Sequence, residues 1–196
     1  MSKRIGFDRH IRIEWLDTMA GLIQNERNIE KIRTSMHVYL ERDLPNYVAR
    51  RKTITVLLRI WYSVPEEHVE IRDRALEMLP KVRENDRIWI HWGMTLLAYP
   101  FFRDVATCMH HCFTLHDGCK RVEIVRKMEE MWGYRSTLVR ATERVIQSFD
   151  YWNVITRNKK TKKITRNIQF TSSRKEIEMV FLEMVLLSDP SHSLIM

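Results

Sequence analysis

The chain has 196 residues, and its 33 lysines and arginines outnumber its 25 aspartates and glutamates, so its formal net charge is +8. A chain of this length forms one domain of moderate size or two small ones, and its 44% of apolar residues argue against global disorder. Only 5 glycines and 5 prolines are present, too few for the many tight turns of an all-β sandwich or barrel. Composition therefore predicts a mainly α-helical fold.

Cysteine content and hydropathy bear on the cellular location. No stretch approaches the roughly 18 consecutive apolar residues of a membrane span, and residues 1–10 lack the apolar core of a secretory signal. Cys108, Cys112 and Cys119 are too few and too close together for a disulfide framework. We therefore expect reduced thiols, a cytoplasmic location and no membrane partner.

Apolar residues recur at helical spacing through the first hundred residues. Pro45, Pro80 and Pro100 end or precede individual segments, because proline lacks the N–H group that a helix interior needs. The predicted helices carry apolar stripes over residues 13–23, 29–40, 54–61, 69–79, 88–99 and 102–115. Residues 1–98 are therefore predicted to form a helical bundle, the first of two domains.

The pattern changes after residue 118, where β-branched and basic residues become frequent. Gly133 stands at a natural end point for one helix, and a polar, basic hairpin tip separates two segments of β-type alternation. The predicted elements are two helices over residues 122–132 and 136–151, two strands over residues 153–157 and 164–171, and a final helix that Ser172 or Ser173 caps. We expect this final helix to close the core of the second domain.

The excess positive charge lies in this later part of the chain. Residues 118–175 contain 15 lysines and arginines against 5 acidic residues, a net charge of +10, whereas the remainder of the chain has a net charge of −2. Such an asymmetry suggests two functional halves and indicates an anionic partner for the second. Basic side chains can also serve only for solvation, but +10 over 58 residues favours a binding role.

Two helices followed by a hairpin with a basic tip is the order of a winged helix-turn-helix, which we predict for residues 99–196. One face of the helix over residues 136–151 is apolar and should pack inward; its members are Leu138, Ala141, Val145 and Phe149. The opposite face and the hairpin tip carry side chains that suit phosphates and base edges. The candidate DNA-binding residues are Arg135, Ser136, Thr137, Arg140, Arg144 and Gln147 on the helix and Lys159, Lys160, Lys162 and Lys163 on the wing.

These features predict a protein that binds double-stranded DNA, without enzymatic activity and without a cofactor. A recognition helix fits the major groove of a DNA duplex, and A-form RNA offers it no comparable groove. Single strands are usually held by exposed aromatic side chains, but most aromatic residues of the basic part fall at positions that we expect in the core. Duplex DNA is therefore the predicted partner.

Several segments of the basic part also resemble a known family. They are YPFFRDV at residues 99–105, RST at 135–137, RATERVIQS at 140–148 and WNVI at 152–155. They are similar to the winged-helix segments of small helical proteins from bacterial phage-defence loci, in particular the BrxA-type proteins of the BREX bacteriophage-exclusion systems. This resemblance, which covers residues 99–156, implies an accessory or regulatory DNA-binding protein that works with other proteins of a defence system.

Other readings remain open. An interaction adaptor would use the winged helix and the apolar C-terminal helix to dock on a partner or to form a homodimer. That helix carries Ile177, Val180, Phe181, Met184, Leu186 and Leu187. A metal-dependent nuclease would need carboxylates that only folding brings together. The cysteines and histidines of residues 108–119 suit Zn²⁺ chemically, but their spacing matches no common zinc motif and favours ordinary packing, so no metal is predicted.

Overall fold

The computed structural model describes residues 5–167 and 174–189, and this part of the chain is mainly helical, as predicted. The helices are α1 (Ile13–Asn25), α2 (Ile29–Tyr39), α3 (Tyr47–Trp61), α4 (Val69–Met78), α5 (Glu84–Ala98), α6 (Pro100–Leu115), α7 (Arg121–Trp132), α8 (Ser136–Tyr151) and α9 (Lys175–Ser188). The strands are β1 (Cys119–Lys120), β2 (Ile155–Arg157) and β3 (Lys163–Arg166). Across the described residues, every helix falls short of the length and apolarity that crossing a bilayer requires.

The chain folds as two compact units, and neither is one continuous segment. The helical unit comprises residues 12–98 and 174–189, and the mixed unit comprises residues 5–11 and 99–167. The predicted boundary after residue 98 therefore coincides with a division between the units. Residues 5–11, however, were predicted to belong to the helical bundle and lie in the mixed unit. Residues 174–189 were predicted to belong to the second domain and lie in the helical unit.

The expectation that the final helix closes the core of the winged helix is wrong. Helix α9 belongs to the helical unit, where it packs along α5 and buries Ile177, Val180 and Met184. Arg74 of α4 donates two hydrogen bonds to the carboxylate of Glu183, at 3.0 and 2.7 Å. An apolar pattern specifies that a helix has a buried face, but it does not specify the surface that this face covers. The predicted caps of this helix, at residues 172 and 173, lie outside the described residues.

Gly93 of α5 allows α9 to approach closely. A β-carbon at this position would lie 3.0 Å from the β-carbon of Met184 and would overlap the sulfur of the same side chain. In Gly21 of α1, by contrast, an added β-carbon would meet nothing within 4 Å. The two glycines therefore form a matched pair, one at a tight helix contact and one in open space.

We expect Gly93→Ala to lower the free energy of unfolding by about 1–3 kcal/mol, because Met184 must shift within a packed core. Gly21→Ala, the control, should raise it by up to about 1 kcal/mol, since alanine favours a helix interior more than glycine does. Urea denaturation of both variants measures these changes. Equal stability of the two variants would contradict the close approach of α9 to α5.

A buried histidine links α5 to α1 inside the helical unit. The side chain of His91 is fully buried, and its Nε2 lies 2.9 Å from Oδ1 of Asp17. Arg87 lies 3.5 Å from the other oxygen of the same carboxylate. Burial lowers the pKa of His91 below its ordinary value, although the hydrogen bond and the negative charge of Asp17 oppose that shift. The neutral imidazole is therefore the form that the folded state favours.

Because its pKa is lower in the folded state than in the unfolded chain, His91 stabilises the fold above about pH 6.5, and this contribution is lost as the pH falls. We expect the free energy of unfolding to decrease below pH 6.5, with a contribution from His91 of at most about 1.4 kcal/mol per pH unit. His91→Gln should flatten this dependence, whereas His110→Gln, at an exposed position of α6, should not. Urea denaturation at pH 7, 6 and 5 measures both; identical slopes for the two variants would contradict the assignment.

The mixed unit combines α6, α7 and α8 with the antiparallel sheet, whose strand order is β1-β3-β2. Strand β3 is central: Ile164 pairs with Cys119 of β1 on one side and with Arg157 of β2 on the other. The sequence predicts the hairpin of β2 and β3, but β1 has two residues and leaves no readable alternation. The end of the second predicted strand, residues 168–171, lies outside the described residues.

The segment before α1 completes the core of the mixed unit. The ring of Phe7 packs against Tyr99 and Phe102, each at 5.2 Å between ring centroids. The indole N–H of Trp152 donates to the carbonyl oxygen of Ile11 at 2.9 Å, and the N–H of Ile11 donates to the hydroxyl of Ser148 at 2.9 Å. These contacts explain why residues 5–11 belong with residues 99–167 and not with the helical bundle.

Candidate nucleic-acid interface

Helix α8 has the two faces that its sequence predicts. The four residues predicted to pack inward, Leu138, Ala141, Val145 and Phe149, are all at least 98% buried. Asn153, two residues beyond the end of α8, has a left-handed backbone (φ 56°), and the N–H of Val154 bonds back to the carbonyl of Phe149 at 2.9 Å. Asn153 therefore belongs to the helix terminus and not to the predicted strand. The predicted site residues of the opposite face are exposed in the first turn and half-buried further along the helix.

The first turn of α8 is the most open part of this face. Ser136, Thr137 and Arg140 are exposed, and Arg135 is half-buried at the N-cap position, where no side chain caps the helix. The first N–H groups of a helix lack partners within the helix and favour negative charge nearby. Tyr134, which is 85% exposed, precedes this turn. The open turn thus combines hydroxyl, guanidinium and aromatic groups.

The second half of the face is already engaged within the protein, through Glu143. Its Oε2 accepts a hydrogen bond from Nε of Arg121 at 2.8 Å, and its Oε1 accepts one from Nη2 of Arg157 at 2.7 Å. Gln147 also donates to Oε1, at 3.2 Å, and itself accepts from Nη1 of Arg144 at 2.7 Å. We call Arg121, Glu143, Arg144, Gln147 and Arg157 the Glu143 network. It joins α8 to the start of α7 and to β2.

The network changes the roles of two predicted site residues. Arg144 and Gln147 lie on the predicted face, but both are half-buried and bonded to each other. Glu143, Arg121 and Arg157 were not among the predicted site residues. Arg121 and Arg157 are 22 and 14 positions away from Glu143, so no short-range sequence pattern predicts that they pair with it. The one available sign is that Glu143 is the sole acid among the basic and polar residues of this helix face before Asp150.

The hairpin tip between β2 and β3 is ordered by Asn158. Its side-chain oxygen accepts hydrogen bonds from the N–H groups of Lys160 and Thr161, each at 2.9 Å. Its carbonyl accepts from the N–H of Lys162, also at 2.9 Å. Lys159, Lys160 and Lys162 are exposed, and Lys163, the first residue of β3, is half-buried. The four predicted wing lysines therefore surround one compact turn.

The structure brings the three cysteines close together. Burial raises the pKa of Cys108 to about 11 and that of Cys119 to about 12, and the neighbouring Cys112 adds to both shifts. All three are free cysteines, as expected. Among residues 5–167 and 174–189, no three histidine, cysteine, aspartate or glutamate side chains are grouped so that they could hold a metal ion.

No model of a protein family matches this chain, no curated protein matches it, and no solved structure matches it.

Proposed function

We propose that the mixed unit is a winged helix that binds double-stranded DNA, with α8 as the recognition helix and the hairpin of β2 and β3 as the wing. The observation that carries this proposal is the order of elements, α6-β1-α7-α8-β2-β3, with exposed cations on both α8 and the hairpin tip. Two helices in this order, followed by a wing, suit a duplex, because a helix enters the major groove while a second element reaches the flanking backbone.

The aromatic residues of the mixed unit favour a duplex over a single strand. Trp132, Phe149 and Trp152 are buried and so cannot stack on bases. Tyr134 and Tyr151 are exposed, but the ring of Tyr151 lies 5.1 Å from that of His10. Proteins that hold single strands without sequence preference use several aromatic side chains along a basic groove. The resemblance of residues 99–156 to BrxA-type proteins extends the proposal to a non-enzymatic accessory component of a phage-defence system.

The adaptor alternative has one observation in its favour. Met179, Leu182 and Leu186 of α9 are 66%, 52% and 43% exposed, and their spacing places them on one side of the helix. Three side chains cover far less than the roughly 800 Å² per partner that a stable interface buries. The basic surface of the mixed unit is the larger feature, and DNA binding is therefore the function that we propose.

A titration of labelled duplex with the full chain at several salt concentrations tests the proposal. We expect Arg140→Ala to weaken duplex binding about 5- to 10-fold, because the exposed guanidinium of Arg140 would contact a phosphate or a base edge. Arg51→Ala, at an exposed position of α3 in the helical unit, should leave the affinity unchanged. Affinity that barely changes with salt, or tighter binding to a single strand of the same sequence, would contradict the proposal.

The Glu143 network makes a second, opposite prediction. Glu143→Gln removes the negative charge that now pairs with Arg121 and Arg157, so both guanidinium groups become available to phosphates. We expect the variant to bind duplex DNA more tightly at low salt, by about 5-fold, and to show a steeper dependence on salt. Glu130→Gln, which removes a charge that pairs with Arg126 and Lys127 on α7 and lies outside the Glu143 network, is the control for net charge alone. A gain of the same size in both variants would show that only net charge matters.

A further inference from the structure

The mixed unit contains an open cleft of about 540 Å³ between the start of α7 and the hairpin tip. The cations that line it are Lys120, Arg121, Arg157, Lys159 and Lys162. Val122 and Ile164 supply apolar wall, and Asp150 is the acid in the lining. Three of the five cations, Lys120, Arg121 and Arg157, were not among the sequence-predicted site residues. The cleft therefore concentrates positive charge from β1, α7, β2 and the hairpin turn.

The protein neutralises only part of this charge. Glu143 pairs with the two arginines, but within the described ranges no ion pair engages the ammonium groups of Lys120 and Lys162. The start of α7 is already capped, because the carboxylate of Glu123 accepts the N–H of Lys120 at 2.7 Å. The attraction of the cleft for an anion thus comes from lysine side chains and not from the end of the helix.

Lys162 has a backbone conformation that lysine rarely adopts. Its φ is 58°, in the left-handed region where glycine and asparagine are favoured, and other residues pay a cost of about 1 kcal/mol or more. The turn holds it there through its N–H bond to the carbonyl of Asn158 at 2.9 Å. Glycine or asparagine would form the same turn with less strain. The presence of lysine at position 162 therefore suggests that its ammonium group has a function.

We propose that this cleft binds one phosphate group of a DNA strand, held between Lys120 on one wall and Lys162 on the other. This inference rests on the proposed function and locates one contact of the wing. The described lining residues include no aromatic ring on which the base of a free nucleotide could stack, so the chemistry fits a phosphate alone. Because the cleft is open and continuous with the exposed hairpin lysines, the strand can run past it.

Two lysines that hold the same phosphate should not act independently, and a double-mutant cycle detects this. We expect Lys120→Gln and Lys162→Asn each to weaken duplex binding about 5-fold, and the double variant to lose clearly less than the product of the two. Asparagine tolerates the backbone of residue 162, so Lys162→Asn should fold at least as stably as the parent chain. The double variant should lower the slope of log affinity against log salt by about 0.9, the value for one phosphate.

Asp150→Asn should have the opposite effect on affinity. It removes the acid that lines the cleft and would repel a phosphate, so duplex binding should tighten. Lys127→Gln, on the same helix as the cleft wall but outside the cleft, is the control and should leave affinity unchanged. Full additivity of the two lysine variants, or no effect of either, would overturn the shared phosphate site while leaving DNA binding intact. Failure of the parent chain to bind duplex DNA would overturn the proposed function, and the phosphate site with it.

Discussion

The candidate interface depends on a single carboxylate. Glu143 lies on α8 and accepts hydrogen bonds from Arg121 at the start of α7 and from Arg157 in β2, so one side chain joins the three elements that carry the basic surface. Without it, Arg121 and Arg157 would lose the carboxylate that both now contact. The charge-assisted bonds, at 2.8 and 2.7 Å, hold the hairpin in one position relative to the helix. The same bonds occupy two guanidinium groups that could otherwise contact phosphates, so this carboxylate sets both the position of the hairpin and the charge that the surface offers.

The same carboxylate divides the helix face into two halves. In the first turn, Ser136, Thr137 and Arg140 are exposed, whereas further along Arg144 and Gln147 are half-buried and bonded to each other. Glutamate on a recognition helix can accept a hydrogen bond from cytosine, but both oxygens of Glu143 are occupied within the protein. On the predicted face of α8, the first turn is thus the part whose side chains are exposed.

Local patterns predict much of this arrangement, and long-range contacts account for the remainder. The period of 3.6 residues identifies the buried face of α8, and the basic turn between two β-rich segments identifies the hairpin. Strand β1 is invisible in the sequence because two residues cannot show alternation; it exists through its pairing with β3. The Glu143 network could not be predicted either, because Arg121 and Arg157 are distant from Glu143 in the sequence. The sequence predicts the exposed lysines at the hairpin tip. It does not predict that they line one cleft with Lys120, because only the pairing of β1 with β3 brings Lys120 close to the hairpin.

The partner of α9 shows the clearest limit of local patterns, and it has a consequence for the mixed unit. The chain passes between the two units after residue 11, after residue 98 and again beyond residue 167, so every continuous segment that contains the whole mixed unit also includes residues 12–98 of the helical unit. A fragment that begins at residue 99 would lose the ring of Phe7 from its place against Phe102. It would also leave the buried indole N–H of Trp152 without the carbonyl of Ile11, and an unsatisfied buried donor costs about 1–3 kcal/mol. The segment before α1 is therefore as much a part of the DNA-binding proposal as α8, because it packs against the helix end from which the hairpin departs.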